Sequence, residues 1–445
     1  MPDLSVALIR EAADVERAVA RAYAALAVAA AVPTGRRAEI LLAVAAGLKA
    51  AAEPFAEAIV AEVDKPVDLA RAEVARAAAT FEAAAYAAGA GTGELRPLDF
   101  SPGYPAREAL VRRVPAGVVL AVTPFNFPLN LVAHKAAPAI AAGCPLILKP
   151  ALHGAIVAAR LVRLVHEAGW PVDAMQILPL ADDALAAPML ADARIRVFTF
   201  TGSAAVGWRL RDLAHKKTVG LELGGDAFAV VHEYADLAFA AARIAFGAYA
   251  FAGQACISVQ HVLVHRAVRE AFEAAFVQAV DSLRVGDPRT SGVVCGPLLR
   301  DRDADRVTQW CADAVRGGAR VVRDFGRDGR LLGPKILTDV PADAALATEE
   351  VFGPVADLAV YDDAADVVRR INDSKYGLQA GVFTRDHRFV KRLFSESEIG
   401  GLIVDDVPTL RFDAMPYGGM RGSGLLREGP AYALEWMTER KTLVW

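Results

Sequence analysis

The sequence predicts an α/β fold built on a mostly parallel sheet with helices on both faces. Three observations carry the prediction. Between Val111 and Glu222 short apolar runs alternate with helical segments, the pattern of successive βα units. Hydrophobic residues make up 54% of the chain and much of that share is alanine, which favours helices over an all-β fold. The length of 445 residues, at roughly 100–200 residues per domain, calls for two or three domains with sizeable cores.

The first hundred residues read as helical. Ile40, Leu41, Val44 and Leu48 repeat at helical spacing after the Pro33-Thr34-Gly35 break, and Glu53–Val63 continues the theme. Pro66 and the stretch Gly89-Ala90-Gly91-Thr92-Gly93 punctuate it. The glycines follow a helix at the wrong spacing for a nucleotide loop, so they read as a helix exit.

Residues 117–122, 145–148, 175–178, 195–200 and 219–223 read as buried strands, with helices at 133–142, 154–168 and 204–214 between them. Such a sheet binds ligands at the carboxyl ends of its strands, often nucleotides. A second alternating region starts near Phe228 and runs to about Arg421. Its strands are 259–264, 320–322, 359–361 and 381–383, and its clearest helix is 270–282. No Gly/Ser-rich linker separates the two regions, so packed domains are expected.

Charge and cysteine usage narrow the function. The balance 49 − 53 = −4 argues against nucleic acid as a partner. The acidic N-terminus does not read as a signal peptide, and the longest apolar run, 116–133, is broken by Pro124, Asn126, Pro128 and Asn130, so no membrane partner is expected. Cys144, Cys256, Cys295 and Cys311 are widely spaced without zinc-finger histidines. That spacing predicts a cytoplasmic protein with no disulfide framework and no metal site.

Several short stretches could carry chemistry. Cys256, in Gly253-Gln254-Ala255-Cys256, suits either a small buried hydrophobe or a nucleophile exposed at a turn, where backbone N–H groups can stabilise developing charge. Glu222 ends an apolar strand before two glycines, a dry place that raises a carboxyl pKa and suits a general base, or else an ordinary ion-paired glutamate. Asn126, between Pro124 and Pro128, suits an oxyanion donor or plain turn chemistry. Lys149 and the Gly202-Ser203 turn stand at strand ends where ribose and pyrophosphate could sit. His261 and His265 share a strand face without a third ligand and read as structural, and Met420–Gly424 lacks the spacing of a phosphate loop.

Together these stretches resemble the NAD(P)-dependent aldehyde dehydrogenase superfamily, from about Arg36 to Trp445. The match rests on eight motifs in the family's order: Thr123-Pro124-Phe125-Asn126-Phe127-Pro128, Lys149-Pro150, Phe200-Thr201-Gly202-Ser203, Glu222-Leu223-Gly224-Gly225, Gly253-Gln254-Ala255-Cys256, Glu349-Glu350-Val351-Phe352-Gly353-Pro354, Asn372 with Tyr376-Gly377-Leu378, and Pro416-Tyr417-Gly418-Gly419. The resemblance implies a dehydrogenase-like fold with a Rossmann-type cofactor domain (1–96 and 116–223, with 422–438), a catalytic domain (224–421) and a small β oligomerisation arm (97–115 and 439–445). It implies Cys256 as nucleophile, Asn126 as oxyanion donor and Glu222 as the base that activates water. Val122, Thr123, Phe125, Lys149, Gly202, Ser203, Glu350 and Phe352 would hold NAD or NADP, and the protein would be a homodimer or homotetramer acting on a small polar aldehyde. The look is closest to the branch acting on lactaldehyde and phosphonoacetaldehyde, with Arg411 facing the substrate mouth and favouring an anionic aldehyde.

The chain departs from the family pattern in places. Helices start almost at Met1, without the short β-rich segment that members usually have. Leu152 stands where a ribose-binding glutamate is common, which leaves NAD against NADP open and brings His153 and Arg160 into view near a 2′-phosphate. Residues 177–181 replace a glycine-containing turn, Asp226 stands for a lysine or asparagine, and Arg421 for a lysine. Two rivals remain: a CoA-acylating dehydrogenase, against which Glu222 argues, and a catalytically silent dehydrogenase-fold protein kept for assembly or binding.

Overall fold

The computed structural model describes residues 6–90, 93–99 and 107–445. Met1–Ser5, Gly91 and Thr92 of the glycine stretch, and 100–106 of the arm lie outside the described residues. The chain opens with five helices: α1 (Ala12–Ala24), α2 (Leu26–Ala31), α3 (Thr34–Ala50), α4 (Ala52–Val63) and α5 (Val67–Gly89). Pro33 and Pro66 stand immediately before α3 and α5, where a missing N–H costs nothing. Before α1, Ile9 forms an isolated parallel bridge to Leu180, so a short extended segment does precede the helices.

The chain then forms β1 (Gly93–Pro97) and β2 (Glu108–Pro115), followed by the first βα region: β3 (Val118–Val122), α6 (Asn130–Ala142), β4 (Leu146–Lys149), α7 (Ala155–Glu167), β5 (Met175–Ile177), α8 (Ala187–Ala191), β6 (Ile195–Thr201), α9 (Ala204–Leu213) and β7 (Thr218–Glu222). Strands β7-β6-β3-β4-β5 lie side by side, all parallel. Their order reverses between β3 and β6, and that switch point opens a crevice at the carboxyl ends of those two strands. The expected strands differ from these by at most one residue at either end. α6 begins three residues earlier than its apolar pattern suggests, because a side chain from another helix caps it.

That cap is supplied in trans, and the same device recurs once. Glu73 of α5 accepts the N–H groups of Leu129 (2.9 Å) and Asn130 (3.1 Å) at the start of α6. Glu62 of α4 accepts those of Gly154, Ile156 and Val157 at the start of α7 (2.8–3.1 Å). Both carboxylates satisfy orphan donors and complement the positive helix ends.

The second region contains β8 (Ala227–Val231), α10 (Leu237–Tyr249), β9 (Val259–His265), α11 (Arg269–Asp281), β10 (Arg284–Val285), β11 (Val293–Cys295), α12 (Asp301–Arg316), β12 (Arg320–Asp324), β13 (Arg327–Asp328), β14 (Leu331–Leu332), β15 (Lys335–Thr338), α13 (Ala345–Thr348), β16 (Val355–Tyr361), α14 (Ala364–Asp373), β17 (Gln379–Phe383), α15 (His387–Glu396) and β18 (Gly401–Val404). Its seven-stranded sheet runs β12-β15-β16-β9-β8-β17-β18, parallel except for the edge strand β12. The chain closes with β19 (Gly424–Leu425), which pairs antiparallel with β7, then α16 (Pro430–Trp436) and β20 (Thr438–Val444).

β1, β2 and β20 make a separate antiparallel sheet in that order. Gly93–Pro97 pair residue by residue with Arg112–Glu108, so residues 93–96, read from sequence with the first region, lie in this sheet. Among the described residues no single helix is long and apolar enough to cross a membrane.

Candidate active site

Cys256 sits in a tight turn between α10 and β9. Phe251 and Ala252 are left-handed (φ +53° each), a strained conformation for non-glycine residues. Gly253 follows at φ +69°, and a Cβ there would lie 2.3 Å from the Gly353 carbonyl oxygen, so only glycine fits. Gln254 ties the turn down: its Oε1 accepts the Leu299 N–H (3.0 Å), and its Nε2 donates to the Phe251 carbonyl (3.2 Å). The Gln254 carbonyl accepts a hydrogen bond from Asn126 Nδ2 (2.9 Å), which leaves the second amide hydrogen of Asn126 uncommitted by that bond. Asn126 and Cys256 thus face one cleft of about 680 Å³, shared with Glu222, Glu350, Arg411 and Tyr417. Cys256 Sγ is 3.2 Å from the Tyr417 hydroxyl. Burial pushes the thiol up to about 12, against the lowering effect of that phenol.

Beneath the thiol lies a buried layer of charge. Glu428 takes both Lys135, in a close ion pair, and Arg411 Nη2 (3.2 Å). Against the upward push of burial, these two cations hold Glu428 below its ordinary range. Glu222, at the end of β7, is left without them, and its Oε2 has no hydrogen-bond partner. Burial, and then the Glu428 charge, raise Glu222 well above a normal carboxyl. Deeper still, Asp413 accepts from Arg76 (2.9 Å), Asn130 (3.1 Å) and His134 (2.9 Å). Burial and the neighbouring Arg411 lower His134 to about 4, so it is neutral at physiological pH.

At the mouth between β3 and β6, the hydroxyls of Thr123 and Thr201 are buried without partners. The N-terminus of α9 has no side-chain cap, whereas those of α6 and α7 are filled by Glu73 and Glu62. Among these three helix ends, an anionic pyrophosphate finds open donors at Gly202-Ser203. Across the crevice, Gln260 holds the Glu350 segment from both sides. Its Nε2 donates to the Glu349 carbonyl (2.8 Å), and its Oε1 accepts the Val351 N–H (2.9 Å). Glu350 accepts the Gly225 N–H (3.2 Å), and burial raises its carboxyl to about 7. Phe352, itself left-handed (φ +48°), meets Phe125 edge-on at 6.1 Å. Lys149, at the carboxyl end of β4, is engaged by Asp183. These orphaned hydroxyls, the open helix end and the paired aromatic rings fit a dinucleotide in the crevice.

The aldehyde dehydrogenase family model matches residues 5–443. The chain belongs to the aldehyde dehydrogenase family. It is 42% identical to the 3-sulfolactaldehyde dehydrogenase of Priestia aryabhattai, over 92% of this chain and 86% of the relative's length. Its fold superposes on aldehyde dehydrogenase 21 from Physcomitrella patens in complex with the reaction product succinate, with a TM-score of 0.95, 38% identity, and 98% and 91% of the two chains covered. It superposes equally well on the glyceraldehyde-3-phosphate dehydrogenase of Methanocaldococcus jannaschii complexed with NADP, with a TM-score of 0.94, 31% identity, and 99% and 96% covered. The expected α/β dehydrogenase fold is borne out, and the chain is an NAD(P)-dependent aldehyde dehydrogenase.

The structure of this dehydrogenase also corrects or extends the sequence reading. Arg411 lines the cleft, but it is a buried member of the charge layer, stacked over the Tyr417 ring (3.7 Å) and bonded to Glu428. Arg160 is drawn away from the ribose side by α4, donating to the Pro54 carbonyl (2.7 Å). His261 is structural, held 2.6 Å from Asp357 and stacked on Phe228. Lys65, Glu73, Lys135, Asp183 and Glu428 do not stand out in the sequence. Lys135, the one Lys, Arg, Asp or Glu in the otherwise apolar α6, was the available signal; Glu73 stands among several charges in α5. Asp183 and Glu428 offered none.

Proposed function

We propose that this dehydrogenase oxidises a small anionic aldehyde to its carboxylate, with Cys256 as nucleophile, Asn126 as oxyanion donor and Glu222 as general base. The observation that carries the reading is the convergence of these three side chains on one cleft whose floor contains Arg411. The Cys256 thiolate attacks the aldehyde carbon, and a C–S bond forms while the carbonyl electron pair moves onto oxygen. The free amide hydrogen of Asn126 and the Cys256 backbone N–H stabilise that oxyanion. Collapse of the thiohemiacetal with loss of hydride leaves a thioester on Cys256.

When bound, the nicotinamide supplies the hydride acceptor. Lys149 and Glu350 would bind its ribose groups, Gly202 and Ser203 the pyrophosphate, with Val122, Thr123, Phe125 and Phe352 lining the crevice. Glu222 then takes a proton from water, the hydroxide attacks the thioester carbonyl, and the C–S bond breaks to restore the thiolate. Burial and the Glu428 charge hold the Glu222 carboxyl well above its ordinary range, which lessens its opposition to ionisation of the thiol and strengthens its carboxylate as a base toward water.

Arg411 supports the anionic substrate. Its Nε is buried without a partner, a donor that a sulfonate, phosphate or carboxylate would satisfy. Arg76 and Arg243, also on the cleft wall, are already paired with Asp413 and Asp406. The compounds named for the three relatives each carry an anionic group.

We further infer a homodimer or homotetramer assembled through the arm sheet, and a cytoplasmic location that suits four free cysteines. The first region with 422–438 is read as the cofactor domain and 224–421 as the catalytic domain.

The test is nicotinamide reduction with NAD and with NADP over a panel of neutral and anionic aldehydes, with and without CoA. Cys256→Ala should abolish turnover, and Arg411→Gln should cut the preference for anionic over neutral aldehydes by roughly tenfold. Turnover surviving in Cys256→Ala overturns the mechanism, and an unchanged preference overturns the substrate class. An acyl-CoA product in place of the acid overturns the role of Glu222.

A further inference from the structure

We propose that the Tyr417 phenol donates a hydrogen bond to the Cys256 thiolate and so sets the pH at which this cysteine becomes nucleophilic. The inference rests on the reading of Cys256 as the nucleophile and assigns a role to a residue that the mechanism above does not use.

Tyr417 is buried, and a buried phenol needs a polar partner. Its partner is the sulfur, 3.2 Å away. The backbone that carries the ring is fixed on both sides: Tyr417 N–H donates to the Glu428 carbonyl (3.0 Å), and Glu428 N–H donates back to the Tyr417 carbonyl (2.7 Å). From the other side, the Arg411 guanidinium lies 3.7 Å from the ring centroid. A cation on the ring face draws electron density from the phenol and makes it a better donor.

The bond changes character with the proton. With the thiol neutral, either atom can donate and the bond is weak. With the thiolate, only the phenol can donate, and the bond becomes charge-assisted. That difference favours ionisation at a site where burial opposes it.

The other groups facing the sulfur come from three elements. Arg411 precedes the Tyr417 loop and favours the thiolate, whereas Glu222 at the end of β7 and Glu350 after α13 oppose it when charged. Among the described residues Tyr417 makes the one side-chain hydrogen bond to the sulfur, and Arg411 acts on it through charge.

The experiment measures the rate at which iodoacetamide, a neutral reagent, alkylates Cys256 across pH in the full-length protein. The Cys256 peptide is read by mass spectrometry and Cys256→Ala serves as the blank. Tyr417→Phe should raise the midpoint of the profile by about one unit, a roughly tenfold slower reaction at pH values below both midpoints. Fluorotyrosine at 417, a stronger acid of nearly the same shape, should lower it, and it decides the question even if the phenylalanine variant fails to fold. A midpoint that stays put in the folded variant, or under fluorotyrosine, overturns the proposal. Loss of turnover in Cys256→Ala with an unmoved midpoint removes the role of Tyr417 alone. Turnover that survives in Cys256→Ala removes the nucleophile, and this proposal with it.

Discussion

Lys149 and Asp183 show how a single pairing shapes cofactor choice. The ammonium sits at the carboxyl end of β4 and the carboxylate arrives from the turn after β5, which Ile9 braces through its bridge to Leu180. A carboxylate at that place accepts from ribose hydroxyls and repels a 2′-phosphate, the discrimination that Leu152 cannot provide. Asp183 is largely exposed, so the effect is screened and modest. Asp183→Asn should shift the ratio of NAD to NADP dissociation constants toward NADP by roughly two- to fivefold, measured by calorimetry on the purified protein. A ratio that moves toward NAD would contradict the assignment. Cys256, Asn126 and Glu222 could be picked out from their local motifs, because turn glycines, prolines and strand ends are written in adjacent residues. Asp183 could not, since its significance comes entirely from a lysine more than thirty positions earlier.

At the scale of elements, the trans-caps of Glu62 and Glu73 link the N-terminal helices to the crevice. Glu73 has a further partner, Lys65, buried beside it and lying over the rings of Phe127 (3.8 Å) and Phe251 (4.8 Å). Phe127 adjoins Asn126 and Phe251 precedes Cys256, so one ion pair braces both reactive turns. Burial lowers the Lys65 pKa, and the Glu73 charge opposes that fall. Glu73→Ala should therefore strand a buried ammonium and two helix-end N–H groups, with a loss of about 3–5 kcal/mol in denaturant unfolding. It should also lower kcat through a displaced Asn126. The double variant Lys65→Met with Glu73→Leu should recover much of the stability and little of the activity, because α6 still lacks its cap. If the double variant recovered full activity, the capping role would be wrong. Helix boundaries at α5 were readable from Pro66 and Gly89, but the true start of α6 was not, because its cap belongs to a helix some fifty residues earlier.

For the whole molecule, the alternation of strand and helix made the parallel sheets legible. The strand order and the division of the arm were not, since ladders between distant segments leave no local trace. β20 shows the gap most clearly: its register with β2 joins Thr438–Val444 to Pro115–Ala109. It presents a hydrogen-bonding edge and the exposed side chains of Leu443, Val444 and Trp445 to solvent. Removing residues 439–445 should convert the proposed homo-oligomer to a smaller species in sedimentation experiments, with the catalytic cleft retained. An unchanged mass would place the subunit contact elsewhere.

The charge layer under Cys256 also has a meaning for folding. Arg76 and Asp413 are 337 positions apart, and Lys135 and Glu428 are 293 apart. A chain that has collapsed locally still holds each of these ions without its counterion, and burying them singly is costly. The layer is therefore complete only when both halves of the chain are docked. The cysteine gains its surroundings at the same moment, so a partly folded molecule carries an ordinary thiol rather than a catalyst.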